Sequence, residues 1–361
     1  IPNVAVATYT TQWKYDSQNR ILEMIYPDEE KITYLYNKGG MLNQVYGEKS
    51  QKTNYIDDIQ YDAYEQKVYQ KYGNGTETRY TYSGLRRRLA QLNVSSPHYD
   101  ADIIRNSYFY DVMDNIDSLS NDADFASIAS GEKPMGGKVS HRYHYDKWSR
   151  LTEAVGTFNS GDKSASYSLK MEYDEVYNVT RKKLSLEQNN LQFKGTLKTG
   201  HDFSYKYDSL NTFKLACVDS KEYRSDSTME DTVSVKYAYE FDANGNQIKG
   251  GVRQMLWDEE NRLLAVSEGG FISNYFYDCN GERTVKLSSG REEVYVNAQQ
   301  AYKDDSLPQK FVAYVSPYLV VKNGGQYTKH IYAGNQRIAS KLGNIDDFGA
   351  DQDVLTMLVR I

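Results

Sequence analysis

The carboxylates of this sequence are the first side chains to test for chemistry. Neighbouring residues of a β-strand point to opposite faces, so two adjacent acids cannot hold one substrate atom between them. Solvated surface charge is therefore the expected role of these pairs, with a calcium site in one loop as the alternative. The adjacent pairs are Asp57 and Asp58, Glu292 and Glu293, Asp304 and Asp305, and Asp346 and Asp347.

Histidine and cysteine spacing predicts neither a metal site nor a redox centre. His141 and His144 are three residues apart on a predicted strand, which places their rings on opposite faces. Cys217 and Cys279 lie far apart without a C-x-x-C companion, so the sequence predicts two buried free thiols. It also lacks the signatures of P-loop, Rossmann, serine-hydrolase and zinc-protease sites. We expect no catalytic residue, no cofactor, no metal and no enzyme activity in this chain.

Charge and composition limit the classes of binding partner that we expect for this chain. The 361 residues carry a net charge of −6, so no positive field is available to hold a phosphate backbone, and nucleic acid is not an expected partner. No apolar run approaches membrane-spanning length, so membrane insertion is not expected either. Tyrosine is in large excess, with 34 residues against 11 Phe. A Tyr ring buries apolar area while its hydroxyl needs a polar partner, so this excess predicts many half-buried rings.

An aromatic residue followed by a short polar residue recurs along the chain. In every copy another apolar residue stands two positions earlier, which places both side chains on one face of a β-strand. The eleven copies are Tyr15-Asp16, Tyr36-Asn37, Tyr61-Asp62, Tyr82-Ser83, Tyr110-Asp111, Tyr145-Asp146, Tyr173-Asp174, Tyr207-Asp208, Phe241-Asp242, Trp257-Asp258 and Tyr277-Asp278.

The residues after each pair predict a tight turn. Asp, Asn or Ser favours the first position of a type I turn, where its side chain accepts a backbone N–H. Residues suited to positive φ follow three positions later at Asn19, Gly40, Asp114, Asn211, Gly245, Asn261 and Gly281. We expect these aspartates to cap turns rather than to catalyse a reaction.

These units predict an all-β fold. Each unit contains two short strands and a second, more variable reversal such as residues 27–30, which together make an antiparallel meander. Roughly twenty strands follow, more than an open sheet holds without curling, so we expect a curled or spiral β-strip. Residues 1–290 form the predicted repeat strip, interrupted near 116–139 by a loop with a short helix over 121–130. Residues 291–343 continue the strip, and 344–361 form a C-terminal tail for which a helix is one option.

The repeat cadence resembles the RHS/YD-repeat family. The resemblance is carried by YDKWSRL at 145–151, WDEENRLL at 257–264 and FDANGNQI at 241–248, with Arg150 and Arg262 completing the first two. The segment YVSPYLVVKNGGQYTKHIYAGNQRIASKLG at 314–343 is similar to the region that follows the repeats in bacterial members. The final residues, NIDDFGADQDVLTMLVRI, lack the D-P-x-G-L motif at which family members cleave themselves.

The resemblance implies a β-strip wound into a hollow shell. Bacterial relatives enclose a C-terminal toxin and are secreted or delivered by contact, whereas the animal teneurins use a similar shell in cell-surface adhesion. We therefore expect a structural shell segment of a secreted or cell-surface bacterial protein, with its own C-terminal toxin or effector domain and the flanking shell segments as partners. The alternative is a surface adhesin or glycan-binding module, because exposed Tyr and Trp on a curved sheet suit stacking on sugars.

Overall fold

The fold of the described residues is almost entirely β-structure. The structure is a computed structural model, and it describes residues 9–126, 135–191, 193–226, 229–289, 293–296, 299–303, 310–344 and 347. Twenty-six strands belong to one sheet, and four further strands form two separate two-stranded sheets. The pairings join sequence neighbours in antiparallel ladders, as the repeat pattern predicts. The expected all-β antiparallel meander is confirmed.

The elements are numbered in chain order. The first half comprises β1 Gln12–Tyr15, β2 Ile21–Ile25, β3 Lys31–Tyr36, β4 Leu42–Glu48, β5 Lys52–Tyr61, β6 Lys67–Tyr72, β7 Glu77–Tyr82, β8 Leu89–Ser95, β9 Ile104–Tyr110, β10 Ile116–Asn121, β11 Phe125–Ala126, β12 Met135–Gly136, β13 Lys138–Tyr145, β14 Leu151–Ser160 and β15 Lys163–Tyr173. The second half comprises β16 Val179–Asn189, β17 Thr196–Tyr207, β18 Leu215–Ser225, β19 Glu230–Phe241, β20 Gln247–Gly250, β21 Arg253–Trp257, β22 Leu263–Glu268, β23 Phe271–Tyr277, β24 Arg283–Ser289, β25 Glu293–Val296, β26 Gln299–Lys303, β27 Lys310–Ser316, β28 Leu319–Lys322, a 3₁₀ turn at Asn323–Gly325, β29 Tyr327–Ala333 and β30 Gln336–Gly343.

The chain divides into two compact units. Unit 1 contains residues 1–55 and 240–361, and unit 2 contains residues 56–239. In unit 1 the N-terminal strands contact the C-terminal ones, as when the Tyr26 hydroxyl donates to the His330 carbonyl over 2.6 Å. Its core is the set of buried side chains Met24, Tyr26, Ile32, Tyr34, Val45, Tyr55, Leu319, Val321, Tyr327 and Ile331.

Unit 2 is a sheet in which fewer side chains are fully buried. Strands β15 and β16 contain no fully buried residue, although they are eleven residues long and paired through most of that length. Strand β13 alternates exposed and half-buried side chains along its whole length. Such alternation is what a strand with one wet face produces.

The interval 116–139 contains more strand than the sequence indicates. Residues 116–121 form β10, which pairs with both β9 and β13, so the ladder resumes directly across the interruption. The interruption itself runs from 122 to 137 and includes a short pairing of 125–126 with 135–136. A helix from 121 does not fit these strands, because Asn121 and the 125–126 segment follow extended backbone. Residues 127–130 of that predicted helix, and most of the predicted tail 344–361, lie outside the described residues.

Candidate functional site: the repeat turn edge

The turn at Asp146 shows how one repeat is built. Asp146 Oδ1 accepts the N–H of Trp148 at 2.9 Å and of Arg150 at 3.0 Å. Arg150 Nε returns a bond to Asp146 Oδ2 over 2.7 Å. The backbone closes the same loop, since the Ser149 N–H donates to the Asp146 carbonyl over 3.0 Å. The aspartate thus satisfies backbone donors that a tight turn otherwise leaves to water.

The same arrangement repeats along the chain, and we call these segments the repeat turns. The first side chain accepts the N–H groups two and four residues on in the turns that begin at Asp16, Asn37, Asp62, Asp111, Asp146, Asp174, Asp242, Asp258 and Asp278. Two turns differ. The Ser83 hydroxyl accepts the N–H of Arg88, and the longer Asp208 turn closes only at Lys214.

These donors lower the pKa of the turn aspartates. At Asp16 the backbone N–H of Arg20 is the largest cause, and the pKa falls below its ordinary value. At Asp146 desolvation acts first and opposes ionisation, but the bonds from Arg150 outweigh it and lower the pKa. The pKa is also lowered by hydrogen bonds within the turn at Asp111, Asp174, Asp208, Asp242 and Asp258. A general acid or base needs a pKa near the working pH, so these carboxylates suit hydrogen-bond acceptance instead.

The backbone turns left-handed three residues into most repeat turns. Gly281 has a φ of 81°, and Gly40 and Gly245 have φ values of 83° and 91°. The prediction of this conformation for Asn211 is wrong: its turn is longer, closing at Lys214, and none of residues 208–214 has a positive φ. Residues that ordinarily resist positive φ adopt it in other turns, namely Glu65, Arg87, Ser149 and Tyr177.

The motif tyrosines tie each repeat turn to the one before it. The Tyr173 hydroxyl donates over 2.8 Å to the carbonyl of Leu151, the residue that follows the Asp146 turn. Equivalent bonds join Tyr36 to Ile21, Tyr82 to Lys67, Tyr110 to Leu89, Tyr145 to Ile116, Tyr207 to Val179 and Tyr277 to Leu263. Trp257 makes the same link with its indole N–H, which donates to the Gln247 carbonyl. The surplus of Tyr over Phe thus has a structural use, since Phe lacks this donor.

Side chains at the end of each turn reach the next turn. Arg150 donates to the carbonyl of Asp174 over 3.0 Å and lies 4.7 Å from the Tyr173 ring centre. In unit 2 all six repeat turns are joined by the pairs Gln66 to Arg87, Arg88 to Asp111, Asn115 to Ser149, Arg150 to Asp174 and Asn178 to Thr212. In unit 1, Arg20 likewise donates to the Gly40 carbonyl over 3.1 Å.

The predicted site residues lie in separate turns and do not converge on one pocket. Tyr15, Tyr61 and Phe241 end their strands in the same way as the other motif aromatics, and each sits next to its turn aspartate. Arg262 pairs with Asp258 over 2.7 Å, as Arg150 does with Asp146. Sequence reasoning missed that Asn takes this arginine's place in other turns. Asn115, Asn178 and Asn246 each donate to their turn aspartate, and an Arg or Asn four residues after each Asp was the available signal.

The residue two positions after the start of each repeat turn, which we call the turn tip, differs between the units. The tips of unit 2 are all apolar, and their exposed fractions run from 42% to 99%; they are Tyr64, Leu85, Met113, Trp148, Val176 and Leu210. The tips of unit 1 are also exposed but are polar or glycine; they are Gln18, Gly39, Asn244, Glu260 and Asn280. The division between apolar and polar tips follows the division into units.

A buried charge cluster is the second feature that sequence reasoning missed. Asp28, Glu30 and Lys329 are each no more than 3% exposed, and the Lys329 ammonium contacts both carboxylates. Lys341 adds a second ammonium 2.9 Å from Glu30 Oε1, and the Tyr55 hydroxyl donates to the same oxygen over 2.6 Å. The cluster joins the 27–30 reversal to β29 and β30, across about 300 residues of sequence.

Hydrogen bonds and ion pairs compensate for the burial of charge in this cluster. Burial opposes ionisation of Glu30, but hydrogen bonds from Lys329, Lys341 and Tyr55 outweigh it and hold its pKa below the ordinary value. Burial first, and then the hydrogen bond to Glu30, raises the pKa of the Tyr55 hydroxyl. Lys49 adds a third ammonium 3.6 Å from Asp28 Oδ2, so two carboxylates are paired with three ammonium groups that connect parts of unit 1.

The described part of the chain has two free thiols and no cluster of metal ligands. Within it, no group of three or more His, Cys, Asp or Glu side chains is placed to hold a metal ion. Cys217 is a buried free thiol, but Cys279 is exposed, so the prediction of a buried thiol is wrong there. Cys279 follows Asp278 in a repeat turn, where side chains project into solvent. None of the described residues forms a helix long and apolar enough to cross a bilayer.

Comparison with known proteins relates the chain to toxin subunits. No family model matches it. The curated toxin subunit YenC2 of Yersinia entomophaga is 23% identical over 331 residues, which cover 82% of this chain and 32% of YenC2. The chain therefore spans about a third of that relative's length.

Solved structures share the fold. The crystal structure of TcdB2-TccC3-Cdc42 superposes with a TM-score of 0.62 at 18% identity, covering 93% of this chain and 16% of that one. A Tc holotoxin pore of Photorhabdus luminescens with a substituted TccC3 gives a TM-score of 0.61 at 18% identity, with the same coverage of 93% and 16%. This chain is thus similar in sequence to a toxin subunit and similar in fold to components of Tc toxins.

Proposed function

We propose that this chain is an RHS/YD-repeat segment of a secreted or contact-delivered toxin, and that it forms part of a wall enclosing a toxin or effector domain C-terminal to it. The observation that carries the proposal is the continuous edge of linked repeat turns. In unit 2 each turn is bonded to the next through an Arg, Asn or Gln side chain and through a motif tyrosine hydroxyl. Such an edge stiffens a single sheet layer whose faces remain open.

The faces of unit 2 suit a wall better than a packed core. Many of its strand residues are half-buried rather than buried. The hydroxyls of motif tyrosines such as Tyr173 and Tyr207 donate hydrogen bonds to backbone carbonyls. A half-wet surface of this kind contacts a cargo chain weakly at many points without binding it tightly. The similarity to YenC2 and to the TcdB2-TccC3 structures supports the same assignment.

The test is limited proteolysis of the natural full-length polypeptide that contains this chain. We expect its C-terminal domain to survive protease in the full-length protein and to be digested rapidly when it is expressed alone. Equal digestion in both contexts contradicts enclosure, as does a natural polypeptide with no domain after this segment.

A pair of variants sharpens the experiment. Arg150→Ala combined with Asn178→Ala removes two turn-to-turn bonds and the bonds that these side chains donate to Asp146 and Asp174 in their own turns, and we expect it to speed digestion of the C-terminal domain. Lys170→Ala removes only an exposed ion pair with Glu153, at 4.0 Å, and serves as the matched control. Identical digestion of the two variants counts against a wall that depends on its turn edge.

A further inference from the structure

The apolar turn tips of unit 2 form an exposed row along one edge. The six repeat turns connect β5 to β6, β7 to β8, β9 to β10, β13 to β14, β15 to β16 and β17 to β18, so all of them lie at the same end of the ladder. Adjacent strands lie about 4.8 Å apart, so successive tips are roughly 10 Å apart and the row is roughly 50 Å long. A line of six exposed apolar side chains on one edge is typical of an interaction surface.

The exposure of these tips is not forced by the turn. The same turn in unit 1 carries Gln18, Asn244 or Asn280 at the tip, with the same aspartate bonds beneath it. Leu85 and Leu210 are 99% and 97% exposed, so they contribute little to packing within unit 2. Six apolar residues at positions that tolerate polar ones indicate a surface that is covered by a partner.

The charges beside the tips alternate in sign from turn to turn. Acidic residues flank the tips in the 62–66, 111–115 and 174–178 turns, basic residues predominate in 83–88 and 146–150, and the 208–214 turn is neutral. Within one chain this places opposite charges side by side, as in the pairing of Arg86 with Asp114 at 2.6 Å. Each turn except the neutral 208–214 turn nevertheless keeps a net charge beside its exposed apolar tip.

We infer that this edge docks with the same edge of a second copy of the chain, related by a two-fold axis. In that antiparallel alignment the basic 83–88 turn faces the acidic 174–178 turn, and the acidic 111–115 turn faces the basic 146–150 turn. The acidic 62–66 turn faces the neutral 208–214 turn. Every pair is then opposite or neutral in charge, and the tips cover one another, as an isologous interface requires.

The same observations disfavour other occupants. An anionic membrane surface is repelled by the carboxylates that stand beneath almost every tip. Sugar stacking uses flat aromatic faces, but four of the six tips are aliphatic or Met. An apolar, charge-alternating edge is complementary to another edge of the same kind.

The experiment is sedimentation of this chain over a range of concentrations. The tip variant combines Leu85→Asp, Met113→Asp and Leu210→Asp, and the control combines Gln18→Asp, Asn244→Asp and Asn280→Asp, which add the same charge at unit 1 tips. We expect wild type and control to dimerise alike and the tip variant to dissociate at least about tenfold more readily. Equal thermal unfolding of wild type and tip variant at concentrations where both are monomeric separates lost docking from lost folding. A monomeric wild type, or a dimer that survives in the tip variant, overturns the proposal.

Cross-linking tests the alignment. In a Cys279→Ser background, a mixture of Leu85→Cys and Val176→Cys chains is expected to form mixed disulfide dimers, because those tips face each other. Leu85→Cys alone is expected to cross-link poorly. Preferential cross-linking of Leu85→Cys to itself overturns the antiparallel alignment. Binding of monomeric wild type to phosphatidylserine vesicles, abolished in the tip variant, overturns self-docking in favour of a lipid partner.

Discussion

Units 1 and 2 carry the same repeat turns but are stabilised in different places. Unit 1 has a closed interior, where Lys329, Asp28 and Glu30 are almost fully buried and the strands near both ends of the described chain pack together. Unit 2 has long strands with few buried residues and an edge whose six repeat turns are bonded in series. All the polar tips belong to unit 1, and all the apolar tips belong to unit 2.

This difference indicates two ways to stabilise a single repeated sheet. Where a face is covered, burial supplies the stability, and a turn then needs only to reverse the chain. Where neither face is fully covered, hydrogen bonds along the edge and contacts beyond it become more important. Substitutions in the buried cluster should therefore lower the free energy of unfolding more than substitutions at any one turn. Loss of several turns together should still destabilise unit 2.

The largest effect is expected in unit 1. Lys329→Ala removes the ammonium between two buried carboxylates and should lower the free energy of unfolding by about 3–5 kcal/mol, because Asp28 and Glu30 keep their charge without their closest partner. Lys170→Ala in unit 2 breaks an exposed pair and should cost at most about 1 kcal/mol. Denaturant unfolding measures both. Equal losses in the two variants would show that the cluster does not stabilise unit 1.

The second effect concerns a glycine inside a strand of unit 2. A Cβ at Gly200 overlaps the Leu184 carbonyl and the ring of Tyr223, which crosses the strand there. Gly200→Ala should therefore destabilise the protein by about 1–3 kcal/mol. Gly84 has no atom within 4 Å of such a Cβ, so Gly84→Ala is the matched control and should change stability by under about 1 kcal/mol. Thermal unfolding distinguishes them, and a tolerated Gly200→Ala would mean that the Tyr223 ring moves freely.

A third substitution isolates backbone strain at a repeat turn of unit 1. Gly281 has a φ of 81°, and a Cβ added there would have no neighbour within 4 Å, so any penalty comes from the backbone alone. Gly281→Val should destabilise by about 1–2 kcal/mol, whereas Gly281→Asn should be much milder because Asn tolerates positive φ. Equal unfolding midpoints for the two variants would contradict the left-handed turn.

The sequence predicted local features better than distant ones. The turn at Asp146 was predictable because its donors lie two and four residues away, within the motif itself. The ion pair between Lys329 and Asp28 was not predictable, because 301 residues separate the two side chains and neither belongs to a sequence motif. The packing of Tyr223 over Gly200 depends on which residues face each other across β17 and β18, a register that composition alone does not give.

For the candidate site, too, the sequence predicted local residues but not the contacts between strands. The sequence placed the aromatic and aspartate of each repeat but not the bond from Tyr173 to Leu151, which spans 22 residues and two strands. It also did not separate the units, although the tip residues change from polar to apolar within the sequence itself. That change becomes meaningful only once Leu85 and Leu210 are seen to project into solvent.

A fourth substitution tests the link between successive turns. Tyr173→Phe keeps the ring but removes the hydroxyl that donates to Leu151, so the free energy of unfolding should fall by about 1 kcal/mol. Tyr177→Phe alters a tip-adjacent ring that is 57% exposed and should have little effect. Chemical denaturation of both variants gives the comparison, and equal stabilities would remove the hydroxyl link as a source of stability in unit 2.

The smallest effect is a pH dependence at one repeat turn. Bonds from Arg150 and the turn N–H groups, working against desolvation, hold the pKa of Asp146 below its value in the unfolded chain. The unfolded state therefore takes up the proton first as the pH falls, so the stability that Asp146 contributes is present above about pH 4 and is lost progressively below it. Asp146→Asn keeps one acceptor oxygen but gives up the charge, so it should be slightly less stable than wild type at pH 7. The two denaturation midpoints should converge as the pH falls through the lowered pKa of Asp146, because wild-type Asp146 then also becomes neutral. A midpoint difference that stays constant from pH 7 to pH 2 would show that the charge of Asp146 does not hold this turn.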